Sequence, residues 1–595
     1  MTASLQKTQV DLAGLMRVLG EALYSTPFVA IRELVQNGHD SCTRRAKEST
    51  EPFEPKIQVR TRPGELIIED NGAGLTLEEI HTYLATVGRG YTRTLREKGG
   101  GDDLIGYFGL GFLSAFAISH RVEFWTCSFQ APGLAHRFVS VSGESYSVVV
   151  AANRAVGTQV RLFLKDEMPM LGDPAIVETW LRKYCCLLKH PVALNGGVAV
   201  NAEPPPWRRQ SELSDLRYKT LSLAFARHFE NVFDPIATIP VNRADYAVQG
   251  MLWIQDGGSF ASSDNRNLSV FVRGMLIGED ERNLLPRWAG FVGGVIESTL
   301  LQPTASRESL RNDDAYEFIA GVLQQALVSG LRQIAESDPA SWRRILSRHN
   351  ESLLAAALVD ATLFKLVGDD VTVRTTEGDF TMPALLERCN GTVYLSYEER
   401  AGVESMLLKA LKQPIVLGCR FAAGPFCARY AQAHGAPIVV LGTDTGAETL
   451  FRPSDLARDE IAVLEACFFA ADRDVLVRQF DPPFLPFAVL TNPEAEIRRR
   501  LESDEADRRI GQAVLGLARQ FTAGIAQQKL AKVYVNAANP VIRELLQLSN
   551  ERRTQAVAAL QPLLSLCADA RGTPDMERAL TDFGNALLTL LRDGP

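Results

Sequence analysis

"IRELVQNGHDSCTRRA", residues 31–46, sets a carboxylate, an amide and a second carboxylate (Glu33, Asn37 and Asp40) into a segment that otherwise reads as an amphipathic helix. Residues four apart lie one above the other on an α-helix, so Glu33 and Asn37 share a side, close to the apolar Ile31, Leu34 and Val35. A carboxylate and an amide beside an apolar stripe need partners. Taken alone, the segment fits a surface helix with solvated polar residues, because charged side chains are mostly exposed. The alternative is a site completed by segments further along the chain.

Two such segments follow. "KIQVRTRPGELIIEDNGAGLT", residues 56–76, reads as two alternating strands around a Pro-Gly turn, then an acidic, glycine-rich corner that begins at Asp70. As a plain turn, Asp-Asn-Gly is unremarkable. As a site, Asp70 at a strand end can accept the exocyclic amino group of adenine, with Gly72 and Gly74 letting a base lie against the backbone. "LIGYFGLGFLSAF", residues 104–116, places Gly106, Gly109 and Gly111 just before a helix beginning near Phe112. Glycines permit close backbone approach, and the free N–H groups of a helix start favour an anion such as phosphate. The cluster is neither a G-x-G-x-x-G fingerprint nor a Walker A loop. Strands resume at "HRVEFWTCSF", "YSVVVAA" and "GTQVRLFLK", which predicts an α+β domain, a mixed sheet covered by helices, ending near residue 200.

Whole-chain properties narrow the classes. With 595 residues the chain is too long for one core. Its net charge of −8 and pI near 5.7 give no global reason to expect a nucleic acid or an anionic membrane as partner. The start carries no basic segment followed by an apolar core, and no apolar run approaches the roughly 18 residues of a membrane span. A cytoplasmic location is expected. Nine cysteines form no C-x-x-C pair, and Cys185 and Cys186 sit in a helix-like "WLRKYCCLLKH", so buried free thiols are expected. Eight histidines show no close ligand spacing, which leaves a structural zinc site without support.

The ordered set "YSTPFVAIRELVQNGHDS", "DNGAGL", "GRGYTRT", "LIGYFGLGFLSAF" and "GTQVRLFLKDE" resembles the Hsp90 family, including its bacterial HtpG-type members, within the wider gyrase, Hsp90, histidine-kinase and MutL ATPase superfamily. The resemblance implies a multidomain α+β chain. Residues 1–200 would be a Bergerat-type ATP-binding α/β sandwich with a lid over 88–105. Residues 207–335 and 336–455 would form an α/β middle domain, and 456–595 a mostly helical dimerisation domain.

It also implies roles. Glu33 would be the general base toward the attacking water, and Asn37 would offer its side-chain oxygen to Mg²⁺. Asp70 would read adenine with support from Thr158 and Gly74, while Gly106, Phe108, Gly109, Gly111 and Phe112 would frame the phosphates. Asp40 would touch the lid or the pocket wall. Arg89 stands where the family usually has lysine. Arg307, in "LLQPTASRESLRND", would reach the γ-phosphate from the middle domain, and Arg311 replaces a glutamine that often follows it. "KVYVNAANPVIRELLQL" resembles the C-terminal domain through Asn536, Asn539 and Pro540, and the apolar "DFGNALLTLL" implies a homodimer held by the last helices. ATP and Mg²⁺ are the implied cofactors, and partly folded client proteins the implied partners. No nucleic acid, membrane or tail-binding co-chaperone is expected. Two alternatives stand beside this reading: a nucleotide-binding scaffold with little turnover, and a DNA-repair or topoisomerase-like ATPase. His39 departs from the family pattern, and its role stays open.

Overall fold

The structure, a computed structural model, describes residues 26–84, 114–141, 145–209, 212–230, 232–257, 264–304, 309–397, 412–419, 422–441, 446, 450–470, 473–491, 531–568 and 576–592. It divides into two compact units, 1–349 and 350–595.

In the first unit, helix α1 (Val29–Glu48) lies on a seven-stranded sheet. The strands are β1 (Ile57–Arg62), β2 (Glu65–Asp70), β3 (Ser119–Cys127), β4 (Ala135–Val141), β5 (Ser145–Val150), β6 (Gly157–Leu164) and β7 (Val192–Leu194), in the order β5-β4-β3-β6-β2-β1-β7. Neighbours are antiparallel except β1 with β7. Alternate residues explain the packing. Ile57, Val59, Leu66, Ile68, Val122, Phe124, Val160 and Leu162 are buried with Ile31, Leu34 and Val35 of α1. The residues between them, such as Arg60, Glu69, Arg121 and Arg161, sit on the opposite, partly exposed face. The two strands around Pro63-Gly64 form as expected, whereas β4 was not legible in the sequence. Helix α2 (Pro174–Cys185) completes this core with Val177, Leu181 and Cys185. It starts on a capping Asp173, whose carboxylate accepts from the Ala175 N–H at 2.8 Å. It ends at Cys185, with Cys186 as its C-cap, so the helix-like reading of "WLRKYCCLLKH" holds only for its first half.

A second sheet in the same unit is built from β8 (Pro235–Arg243), β9 (Val248–Gln255), β10 (Asn267–Val272), β11 (Met275–Gly278) and β12 (Val292–Ser298), in the order β11-β10-β12-β9-β8. Helices α3 (Asp215–Phe229) and α4 (Asp314–Ser337) pack against β8. The two sheets are tied together: Met275 enters the first core, the Lys183 ammonium donates to Glu279 at 2.7 Å, and Arg208 forms an ion pair with the buried Glu297. Glu297 also accepts from the Trp207 indole at 2.9 Å.

The second unit holds two further sheets. β13 (Thr372–Thr375), β14 (Gly378–Thr381), β15 (Val393–Ser396), β16 (Val416–Leu417) and β17 (Ile438–Val440) run in the order β14-β13-β16-β15-β17, with the helix Ala423–His434 ending on Gly435 in the left-handed region. β18 (Arg452–Pro453), β19 (Arg473–Gln479), β20 (Phe487–Thr491) and β21 (Ala531–Asn536) run in the order β18-β19-β21-β20. The segment expected to be mostly helical therefore also contains a sheet, whose Val477, Phe487, Val533 and Val535 pack with Leu464, Ile542 and Leu564 from flanking helices. β-Branched and aromatic residues in "VYV" and "FAVL" favour strands. Of the helical readings at 403–412 and 494–521, all but residue 412 lie outside the described residues. Most described cysteines are buried as expected, but Cys419 is exposed.

Candidate functional site

The polar residues of α1 separate by depth. Arg32, Glu33 and Gln36 are buried at 2%, 4% and 0% exposure, while Asn37 is exposed and Asp40 intermediate. The solvated-surface reading thus fails at Glu33 and holds at Asn37. An Arg32 guanidinium nitrogen stands 3.5 Å from Glu33 Oε1. Farther along, Gly38 faces β2, and a Cβ there would sit in ordinary van der Waals contact with the Asp70 Cβ, at 3.4 Å.

Asp70 closes β2 and is 8% exposed. Its Oδ1 accepts from the Ser41 hydroxyl at 2.9 Å and from the Gly72 N–H at 2.8 Å. Across the sheet it pairs with Thr158 of β6, which pairs with Thr126 of β3. The two threonine hydroxyls are 3.1 Å apart. Thr126 also accepts from the Leu75 N–H at 2.8 Å, which ties the glycine-rich corner to the sheet. One cross-strand row is therefore polar on a face that is mostly apolar. Burial pushes the Asp70 carboxyl up to about 7, against the two hydrogen bonds and the Arg154 charge, which lower it.

The corner is also a well-made turn. The Asn71 side chain accepts from the Lys56 N–H at 2.7 Å and donates to the Glu54 carbonyl at 2.6 Å, and Arg45 donates to the Asn71 carbonyl at 2.8 Å. Gly74 has φ +62°, and a Cβ there would fall 2.0 Å from the Cys127 carbonyl oxygen. Turn and site are the same object.

Asp40 lies beside His39, whose Nδ1 is 3.7 Å from Asp40 Oδ1. The His39 ring is buried 4.7 Å from the His190 ring. Burial, then the His39 charge, holds His190 down at about 4. Arg89 and the 88–105 lid, Gly106, Phe108, Gly109, Gly111, Phe112 and Arg307 lie outside the described residues. The flanks of 305–308 are zipped by a Pro303–Leu310 bridge and by the Arg311 N–H on the Gln302 carbonyl at 2.8 Å, with Arg311 itself exposed. Sequence reasoning overlooked Ser41 and Thr126. Signals for both were present: Ser41 is four residues beyond Asn37, and Thr126 is a polar residue in the apolar alternation Val122, Phe124.

Residues 24–141 match the family described as histidine kinase-, DNA gyrase B- and HSP90-like ATPase, and residues 199–365 match the Hsp90 protein family. The chain is 27% identical over 358 residues to the mitochondrial TNF receptor-associated protein 1 homolog of Dictyostelium discoideum, covering 56% of this chain and 49% of that protein. It is 27% identical over 361 residues to the mitochondrial heat shock protein 75 kDa of Bos taurus, with 58% and 51% covered. It is 26% identical over 456 residues to the chaperone protein HtpG of Rhodopseudomonas palustris, with 68% and 72% covered. Residues 199–365 are an Hsp90-family segment, preceded by an HSP90-like ATPase segment. The chain spans about half the length of the first two relatives. The first family match contains Glu33, Asn37, Asp40 and Asp70, and the second contains residue 307, while 366–595 lie beyond both. Among the described residues no helix is long and apolar enough to cross a membrane, and no cluster of three or more His, Cys, Asp or Glu could hold a metal.

Proposed function

We propose that this chain is an ATP-hydrolysing chaperone of Hsp90 type that opens and closes as a dimeric clamp on partly folded polypeptides. The observation that carries the nucleotide reading is Asp70. Both hydrogen bonds it accepts among the described residues reach Oδ1, which leaves Oδ2 for an exocyclic amino donor such as that of adenine. Thr158 stands beside it, and α1 presents Glu33 and Asn37 one helical turn apart.

In this reading Glu33 orients the attacking water and takes its proton as the oxygen bonds to the γ-phosphorus and ADP leaves. Its burial limits competition from solvent. Asn37, exposed and carrying an uncharged oxygen donor, suits Mg²⁺, which keeps several waters and binds few protein ligands. When bound, the ion would neutralise phosphate charge. Arg307 would bring a permanent positive charge to the γ-phosphate from its loop, so hydrolysis would depend on lid and middle segment closing together.

Steady-state ATP hydrolysis and nucleotide binding by wild type, Glu33→Ala and Arg307→Ala test this. Loss of a general base lowers the rate by about 10²- to 10⁴-fold, so Glu33→Ala should bind ATP without turning it over, and Arg307→Ala should be slowed with binding kept. Wild-type binding without turnover would favour a nucleotide-dependent scaffold instead.

A further inference from the structure

The face of the seven-stranded sheet turned away from α1 is not a neutral solvated surface. Among the described residues, five arginines on it, Arg60, Arg121, Arg137, Arg154 and Arg161, are ion-paired, and they share three carboxylates. Glu123 is shared by Arg121 and Arg137, Glu69 by Arg60 and Arg154, and Glu65 binds Arg161. Within these described ion pairs the arginines outnumber the carboxylates by two, in a chain whose net charge is −8. At Glu123 the carboxylate is the covered member: its side chain is 5% exposed, whereas those of Arg121 and Arg137 are 42% and 38% exposed. Among the described residues the Nε atoms of Arg121, Arg137 and Arg161 have no hydrogen-bond partner.

The same face carries two aromatic rings, each already covered by a cation. Arg121 and Arg161 lie over Phe163 at 5.3 and 5.0 Å, and Arg137 lies over Trp125 at 5.4 Å. At the β4–β5 edge the basic field gives way to exposed Val141 and Val149, which share the face by register with Arg121 and Arg137.

We propose that this outer face is a docking platform for an acidic, partly apolar segment of a partner polypeptide. Guanidinium forks spread over adjacent strands suit spaced carboxylates, which they bind bidentately, and the valine edge suits an aliphatic neighbour. A nucleic acid fits less well. The ring faces are occupied by arginines rather than open for base stacking, and the interleaved glutamates would repel a continuous phosphate chain. The platform lies on the opposite side of the sheet from Asp70, so it stands independently of the nucleotide reading.

The test uses the full chain and a fluorescent peptide of alternating glutamate and leucine, with its lysine-for-glutamate counterpart and a single-stranded oligonucleotide as competitors. The acidic peptide should bind, weaken with added salt, and lose about tenfold or more in affinity in Arg121→Ser/Arg161→Ser. Glu65→Gln/Glu69→Gln should tighten it, a change of opposite sign that a damaged fold would not produce. Nucleotide affinity measured above pH 8, where the neighbouring Glu69 charge no longer decides whether Asp70 is ionised, should not move in either variant. Equal binding of acidic and basic peptides, no response to either double variant, or preferential binding of the oligonucleotide would overturn the proposal.

Discussion

At the scale of residues, the site depends on how Asp70 is held. With Oδ1 saturated by Ser41 and Gly72, a proton on this carboxyl sits on Oδ2 and turns the proposed adenine acceptor into a donor. Burial puts that event at about 7. The folded value is raised, so this group's contribution to folding is fully present below the ordinary carboxylate value and is lost as pH rises through about 7. The proposed adenine contact runs the other way, because it needs the ionised form. ATP affinity measured calorimetrically should be constant above pH 8 and fall by about tenfold per pH unit below 7. In Ser41→Ala, which removes a hydrogen bond that favours the carboxylate, the fall should begin at higher pH. A flat profile between pH 6 and 8 would remove Asp70 from the adenine contact.

At the scale of elements, several junctions are closed by one side chain doing the hydrogen bonding of a missing strand. Asn536, at the end of β21 and fully buried, uses its whole amide. Oδ1 accepts from the Phe480 and Ala538 N–H groups at 3.1 and 3.0 Å, and Nδ2 donates to the Phe480 and Leu485 carbonyls at 2.9 and 3.0 Å. Three residues on, Asn539 caps the helix Pro540–Gln547 by accepting from the Val541 and Ile542 N–H groups, with Pro540 at the first helical position. The Asn-Pro segment marked by resemblance thus has a structural reason of its own. Asn536→Ala leaves buried N–H groups unpaired and should cost on the order of 3 kcal/mol in urea unfolding of the second unit. Asn539→Ala, losing only a cap, should cost about 1 kcal/mol.

At the scale of the whole molecule, the last helix, Met576–Arg592, leaves Leu580, Phe583, Leu587 and Leu588 exposed at 61%, 43%, 40% and 50%. These positions fall at helical spacing on one side, and a stripe of that size, with the polar Thr581, Asp582 and Asn585 also exposed beside it, fits a second copy. If the proposed dimer forms through it, Phe583→Glu/Leu587→Glu should convert a dimer into a monomer by light scattering after size exclusion, with the far-ultraviolet circular dichroism unchanged. A wild-type monomer at the same concentration would defeat the clamp reading while leaving the nucleotide site standing.

Much of the first unit was legible in the chain itself. The period-two alternation of "IQVRTR" and "ELIIED" and the turn residues between them specify a hairpin from local physics alone, and the helix at 29–48 follows from its own periodicity. The acidic corner at Asp70 was visible as a candidate acceptor for the same reason. What local pattern does not carry is depth and partnership. It could not say that Glu33 is buried and Asn37 exposed on one helix, because that depends on where α1 meets the sheet. Nor could it say that Ser41 and Gly72 share one oxygen of Asp70, that Thr126 joins the same row, or that "KVYVNAAN" belongs to a sheet. Cross-strand neighbours come from register between segments distant in sequence, and burial comes from packing. The sequence by itself determined the periods, the turns and the types of side chain available. Only the tertiary structure decided which of them lost their water, and that loss moves Asp70 to about 7 and gathers five arginines onto one open face.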